Sequence, residues 1–310
     1  MKILFMGTPD FAVFSLKALA ESSHEIVGVV TQPDKPKGRG YQLLPPPVKV
    51  FAEEKGFDVY QPNTSRSEEF AALLGSICPD IIVVVAYGKI LPKNVLDFPR
   101  YGCVNVHGSL LPEYRGAAPM QRAIIDGKAV TGITTMYMAE GLDTGDMLLK
   151  EEVAIEENDN FENIHDKLGV CGAALIVKTL DLLENGGIER IQQDDSLSTY
   201  AAKIEKADCL IDFSKDAKQV HDLIRGLSPI PLSFTHTADG KLLKVLEARI
   251  ASKEGVLGAC GEVISIDDGI TVACGKGSVR LTRVLPEGKG RMSAADFVRG
   301  RKVNVGDILN

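Results

Sequence analysis

Five short apolar runs mark the first half of the chain: Lys2 to Met6, Ile26 to Thr31, Ile81 to Ala86, Cys103 to Val106 and Ile133 to Met138. They are rich in β-branched residues and lack clean polar–apolar alternation, which predicts strands covered on both faces, as in a parallel sheet. Between them, helical patterns cover Phe11 to Ser22, Val48 to Lys55, Ser67 to Ile77 and Met120 to Ile125. Such β and α alternation predicts a doubly wound α/β domain. A longer helix is expected over about Asn163 to Glu184, with Ile164, Leu168, Cys171, Leu175, Leu182 and Leu183 near helical spacing, ended by Asn185-Gly186-Gly187.

The pattern then changes. Arg190 to Thr199 is polar and unpatterned and reads as the start of a linker over 190–204. Beyond it, Leu242 to Ala248, Gly261 to Ile266, Ile270 to Ala273 and Val279 to Val284 read as short strands between Gly-rich turns, with helices expected at Ala217 to Gly226 and Ser293 to Arg299. The expected organisation is a catalytic domain over 1–189 and a smaller β-barrel of oligonucleotide-binding type over 205–310. One segment of the first half stands apart, Gln32 to Gly40 followed by Pro45-Pro46-Pro47. It follows a strand at its carboxyl end, where α/β proteins place ligands, and its Pro and Gly content predicts an irregular basic loop.

Composition agrees with a two-domain globular chain of 310 residues, 45% hydrophobic and 25% charged. The longest purely apolar stretch, Ile81 to Tyr87, is far short of the ~20 residues of a membrane-spanning helix. Only Ile3 to Met6 precedes the break at Gly7-Thr8-Pro9-Asp10, too short for an export signal, and the six cysteines are scattered without a Cys-x-x-Cys pair. A cytoplasmic setting is the expectation. The net charge of −7 argues against a nucleic-acid partner, but its distribution does not. Residues 205–310 carry 16 basic and 14 acidic side chains, and residues 276–302 eight basic against two acidic.

Gly7-Thr8-Pro9-Asp10 has one glycine where a dinucleotide site would have three, so Thr8 is expected to cap a helix. Neither a phosphate loop of the Walker type nor His and Cys at metal-ligand spacing occurs; no nucleotide cofactor or metal is expected. The strongest local feature is Asn105-Val106-His107-Gly108-Ser109-Leu110-Leu111-Pro112. On a strand ending near 107 the period of two puts Asn105 and His107 on one face, a pair suited to an acyl-transfer centre or to a buried histidine satisfied by an amide. Glu140-Gly141-Leu142-Asp143-Thr144-Gly145-Asp146 follows the next strand, with acids that would orient an imidazole. His24, His165, His221 and His236 lack such company and read as structural.

These motifs, with Glu113 to Pro119, Phe5 to Ala12, Gln32 to Pro36 and Ile224 to Pro229, resemble the folate-dependent formyltransferases over residues 1 to about 230, and more loosely to the end. The sequence departs at Pro231-Leu232-Ser233, where the family more often has Pro-Gly-Ala. The resemblance implies a Rossmann-like formyltransferase fold and transfer of a formyl group from 10-formyltetrahydrofolate to the α-amine of methionine on initiator tRNA. It implies a catalytic set at Asn105, His107 and Asp143. A folate pocket would be lined by Ser109, Leu110, Leu111 and Pro112 with Tyr87, Gly88, Ile90 and Leu91. Lys35, Lys37 and Arg39 in the loop and Arg280, Arg283 and Arg291 in the tail would contact tRNA phosphates. No membrane and no obligate protein partner is implied. The rival expectations are a formyltransferase acting on a small amine (glycinamide ribonucleotide or an amino sugar), a formyltetrahydrofolate hydrolase, and an RNA-binding module with a dead folate site.

Overall fold

The computed structural model describes residues 1–37, 42–300 and 302–310. The chain falls into two compact units that do not follow one cut in the sequence. Unit 1 is Met1–Gly116, Thr131–Val153 and His165–Tyr200; unit 2 is Ala117–Val130, Ala154–Ile164 and Ala201–Asn310.

The elements through β7 are β1 (Lys2–Gly7), α1 (Asp10–Ala20), β2 (Glu25–Val30), β3 (Lys35–Lys37), β4 (Gln42–Leu44), α2 (Pro47–Glu54), β5 (Val59–Tyr60), α3 (Glu68–Ile77), β6 (Ile81–Val85), α4 (Lys93–Leu96) and β7 (Cys103–His107). There follow β8 (Arg115–Gly116), α5 (Pro119–Ile125), β9 (Val130–Tyr137), β10 (Met147–Ala154) and α6 (Phe161–Glu184). The main sheet has the order β10-β9-β7-β6-β1-β2-β5. β7, β6, β1, β2 and β5 run parallel, as the apolar runs predict, and β9 is added antiparallel to β7.

Both faces of this sheet are covered. Leu4 and Met6 of β1 and Ile82 and Val84 of β6 pack with Phe70 and Leu74 of α3, whose helix starts where Ser67 Oγ accepts the Phe70 N–H. Gly172 of α6 lies against Val106 and Ile133, and Gly169 against Phe14 of α1; a Cβ on Gly169 would come within 2.6 Å of that ring. Burying each of these large side chains contributes roughly 1.5–3 kcal/mol.

Two expectations are corrected. Thr8 does not cap α1: Pro9 holds the cap position without a side-chain bond, and Thr8 Oγ1 instead donates to the Tyr87 carbonyl at 3.1 Å, tying β1 to the end of β6. The segment after β2 is not wholly irregular, because β3 and β4 pair antiparallel, Pro36 opposite Leu43. In a two-stranded ribbon half the N–H groups face away from the partner, so a proline costs no ladder bond there. Arg39 and the side chain of Lys37 lie outside the described residues.

After β11 (Tyr200–Ala201), where unit 1 gives way to unit 2, come α7 (Ala217–Gly226), β12 (Ser233–His236), β13 (Leu242–Ser252), β14 (Val263–Ser265), β15 (Ile270–Ala273), β16 (Ser278–Pro286), β17 (Met292–Ser293) and α8 (Ala294–Arg299). The sheet β12-β13-β16-β15-β14, with β17 on β16, is an antiparallel half-barrel. It closes over Val220 and Ile224 of α7 and Phe297 of α8. Leu232, at the departure from the family pattern, holds φ 75°, a conformation natural to glycine.

Candidate active site

β7 delivers Asn105 and His107 to the carboxyl edge of the sheet, between β6 and β9. His107 is only 6% exposed, and its Nε2 lies 2.9 Å from the Tyr114 carbonyl oxygen. A carbonyl only accepts, so Nε2 carries a hydrogen and Nδ1 is the nitrogen left for chemistry. Nδ1 is 3.7 Å from Asp143 Oδ2, too long for a hydrogen bond. The same Oδ2 accepts the Gly116 N–H at 2.8 Å. Asn105 is half-buried, and its amide makes no hydrogen bond among the described residues.

Backbone strain gathers here. Ala86, Tyr114 and Asp143 have φ of 46°, 59° and 52°. L-residues hold such angles at a cost of ~1–3 kcal/mol each, and only where surrounding bonds over-determine them. The turn at Gly145 leaves no room for a side chain, since a Cβ would fall 1.9 Å from the Tyr137 carbonyl oxygen.

The residues expected to line a folate pocket divide into two groups. Ser109 is buried, donating Oγ–H to the Glu113 carbonyl at 2.6 Å, while its own carbonyl accepts from Thr134 Oγ1. Leu111 packs with Met136 and Met147, and its carbonyl accepts from the Lys150 ammonium, whose pKa burial pushes down. Leu110 and Pro112 remain half-buried. The side chains of Tyr87 and Leu91 belong to the core beside α3, so from that segment the backbone near Gly88 and the 70% exposed Ile90 are what a ligand would meet. Gly88 is held at φ 79°, and a Cβ there would strike Gln32 Nε2.

In unit 2, Arg283 and Arg291 come together in a groove of about 290 Å³ that also holds Arg249 and Arg225. Arg225 is fixed by Asp222 at 2.7 Å and by the carbonyls of Glu156 and Asp159. Burial works to raise the Asp222 pKa, but hydrogen bonds from His221, Lys218 and Arg225 outweigh it and hold it low. Arg249 reaches Asn158 Oδ1 at 2.7 Å. Arg280 is not in this groove; it faces Asp268 at 4.0 Å. Lys35 is exposed and donates to Gln32 Oε1. Sequence reading missed Arg249 and Arg225, which only the pairing of β13 with β16 and the docking of α7 bring beside Arg283. It also missed Gln193, buried against the Asp143 turn.

The doubly wound sheet thus carries an amide, an imidazole and a carboxylate at its carboxyl edge. The formyl transferase family model matches residues 1–180 and the formyl transferase C-terminal domain model residues 203–302, and the chain belongs to this family. It is 50% identical to the methionyl-tRNA formyltransferase of Geotalea daltonii, over 100% of this chain and 98% of the relative. To that of Geotalea uraniireducens it is 48% identical, with the same coverage. Among solved structures, HypX from Aquifex aeolicus in complex with tetrahydrofolic acid matches with TM-score 0.64 at 18% identity, over 96% of this chain and 47% of that one. That likeness concerns the fold. No helix among the described residues is long and apolar enough to cross a membrane.

Proposed function

We propose that this protein transfers the formyl group of 10-formyltetrahydrofolate to the α-amine of methionyl-tRNA, the initiator species. The observation that carries the reading is the Asn105 amide, without a partner among the described residues, beside His107, whose one uncommitted nitrogen faces Asp143, on a chain half identical to methionyl-tRNA formyltransferases. The folate donor is met by the Ser109–Pro112 loop and the backbone around Gly88. Residues 1–189 carry catalysis, and 205–310 hold tRNA phosphates through Arg283 and Arg291 and, more weakly, Arg280, together with Lys35, Lys37 and Arg39.

An α-amine has a pKa of roughly 7.7–8.0, lowered further beside an ester, so near neutral pH much of it is free to attack the formyl carbon. The new C–N bond forms as the carbonyl opens to an oxyanion. Asn105 donates to that oxygen, and His107 donates through Nδ1 when it is an imidazolium. Neutral His107 accepts at Nδ1 the proton that the attacking nitrogen sheds, with Asp143 stabilising the resulting charge. As the adduct collapses, the bond from carbon to the folate nitrogen breaks and that nitrogen takes up a proton, which balances the exchange.

The test is purified protein with 10-formyltetrahydrofolate and, in parallel, Met-tRNA, uncharged tRNA, glycinamide ribonucleotide and water. Formyl-methionyl-tRNA as the sole product is expected. Transfer to the small amine or to water, with none to Met-tRNA, overturns the reading.

A further inference from the structure

His107 is gripped from two loops, and a third segment ties these loops together. Tyr114, which holds Nε2, is followed by Arg115; on the other side the 141–146 turn carries Asp143. The third segment is the stretch after α6 that reads in sequence as linker. Met147 and Ile191 exchange two backbone hydrogen bonds, and two residues on lies Gln193, 7% exposed. Its Nε2 donates to the carbonyl oxygens of Asp143 and Gly145, both at 2.8 Å. Its Oε1 accepts from Arg115 Nε at 3.0 Å and Nη2 at 2.8 Å, and Nη2 also reaches Asp195. The amide orientation is fixed by chemistry, because the carbonyls only accept and the guanidinium only donates. Both N–H groups and both lone pairs are used.

We infer that Gln193 is a positioning residue of the formyl-transfer site, clamping the Asp143 turn to the Tyr114–Arg115 segment, an inference that rests on the transferase reading above. Tyr114 and Asp143, which face the two nitrogens of His107, both hold positive φ, and such angles relax unless neighbours hold them. Gln193 bonds the carbonyl of Asp143 itself and, through Arg115, the residue next to Tyr114. A slip of about 1 Å between imidazole and carboxylate is of the size that costs ~10²-fold in rate.

Gln193→Glu is the sharpest variant, since it keeps the acceptor for Arg115 and removes the two donors. With the wild-type enzyme active in parallel, it is expected to lower kcat ~10- to 100-fold, leaving KM for Met-tRNA and for the formyl donor within about twofold. In an Asp143→Asn background the same change should cost under about twofold, because its effect runs through Asp143. If Gln193→Glu does not fold, Arg115→Lys reads the clamp from its other end and should lower kcat about tenfold. Wild-type kcat in the variant tested, or an equal loss in both backgrounds, overturns the clamp. An inactive wild type overturns instead the functional reading on which it rests.

Discussion

At the residue scale, the site separates groups that work from groups that hold. Asn105 makes no side-chain hydrogen bond among the described residues, so Asn105→Ala should leave stability within about 1 kcal/mol while kcat falls ~10²- to 10³-fold, the cost of one missing oxyanion donor. Urea titration beside steady-state assays checks both halves, and an unchanged kcat would remove Asn105 from the chemistry. Gly145→Ala addresses the holding side. Its Cβ would meet the Tyr137 carbonyl oxygen at 1.9 Å, and backbone cannot step aside as a side-chain tip can, so the turn carrying Asp143 must move. A loss of kcat in a protein that still unfolds cooperatively is expected. Asn105 and His107 were legible in the sequence because a strand's period of two places them together. Gln193 was not, because an amide in an unpatterned polar stretch carries no sign of the carbonyls it will meet.

At the element scale, the helices follow apolar spacing closely, and α3 shows the energetics most simply. Phe70 is 1% exposed among Leu4, Met6, Ile82 and Val84, so Phe70→Ala should cost ~3–5 kcal/mol in chemical denaturation. Two of the strands that escaped sequence reading, β5 and β10, have physical reasons for doing so. β5 is two residues long, and β10 begins on buried Met147 and Leu148 but then turns to the charged Lys150 and the exposed Glu151 and Glu152, which is an edge strand's pattern. A charge pair joins α1 and α6. His165 Nε2 lies 3.4 Å from Asp10 Oδ1 and its Nδ1 2.9 Å from Asp166 Oδ1; Asp10 foremost, and Asp166 with it, raises the His165 pKa, and the imidazole lowers that of Asp10. The histidine's contribution is complete below its unfolded value of ~6.5 and fades as pH rises through the folded one; the aspartate's is complete above ~3.8 and fades as pH falls. Together they stabilise most between about pH 4 and 6.5. Thermal unfolding of His165→Gln against wild type should therefore differ most near pH 5–6 and least above about pH 8. A difference independent of pH would mean that ring packing on Phe11, 5.5 Å away, is all that His165 supplies.

At the scale of the whole molecule, a chain of net charge −7 that is to hold tRNA must do so through local fields. The run of basic residues near the end was visible in sequence, but which of them converge was not. Arg280 and Arg283 are three apart on β16, a spacing that sends them to opposite faces of a regular strand, but it does not say which neighbours each one meets: Arg280 faces Asp268, and Arg283 shares a groove with Arg291 and Arg249. Bulges between β13 and β16, with register shifts at Val245/Glu247 and Glu247/Ala248, break the simple alternation that would assign these side chains from spacing. The groove predicts a difference in salt response that a mere count of charges does not. Removing one side chain that neutralises a phosphate should flatten the log–log dependence of Met-tRNA affinity on salt by ~0.7–0.9. Arg283→Ala and Arg291→Ala should each do so and weaken binding at low salt, whereas Arg280→Ala, already facing a carboxylate, should change the slope less. Filter binding of Met-tRNA between about 50 and 200 mM salt measures all three. Equal slopes for all three variants would mean that the groove acts only through the general field of unit 2, and that its convergence of arginines holds the fold and not the nucleic acid.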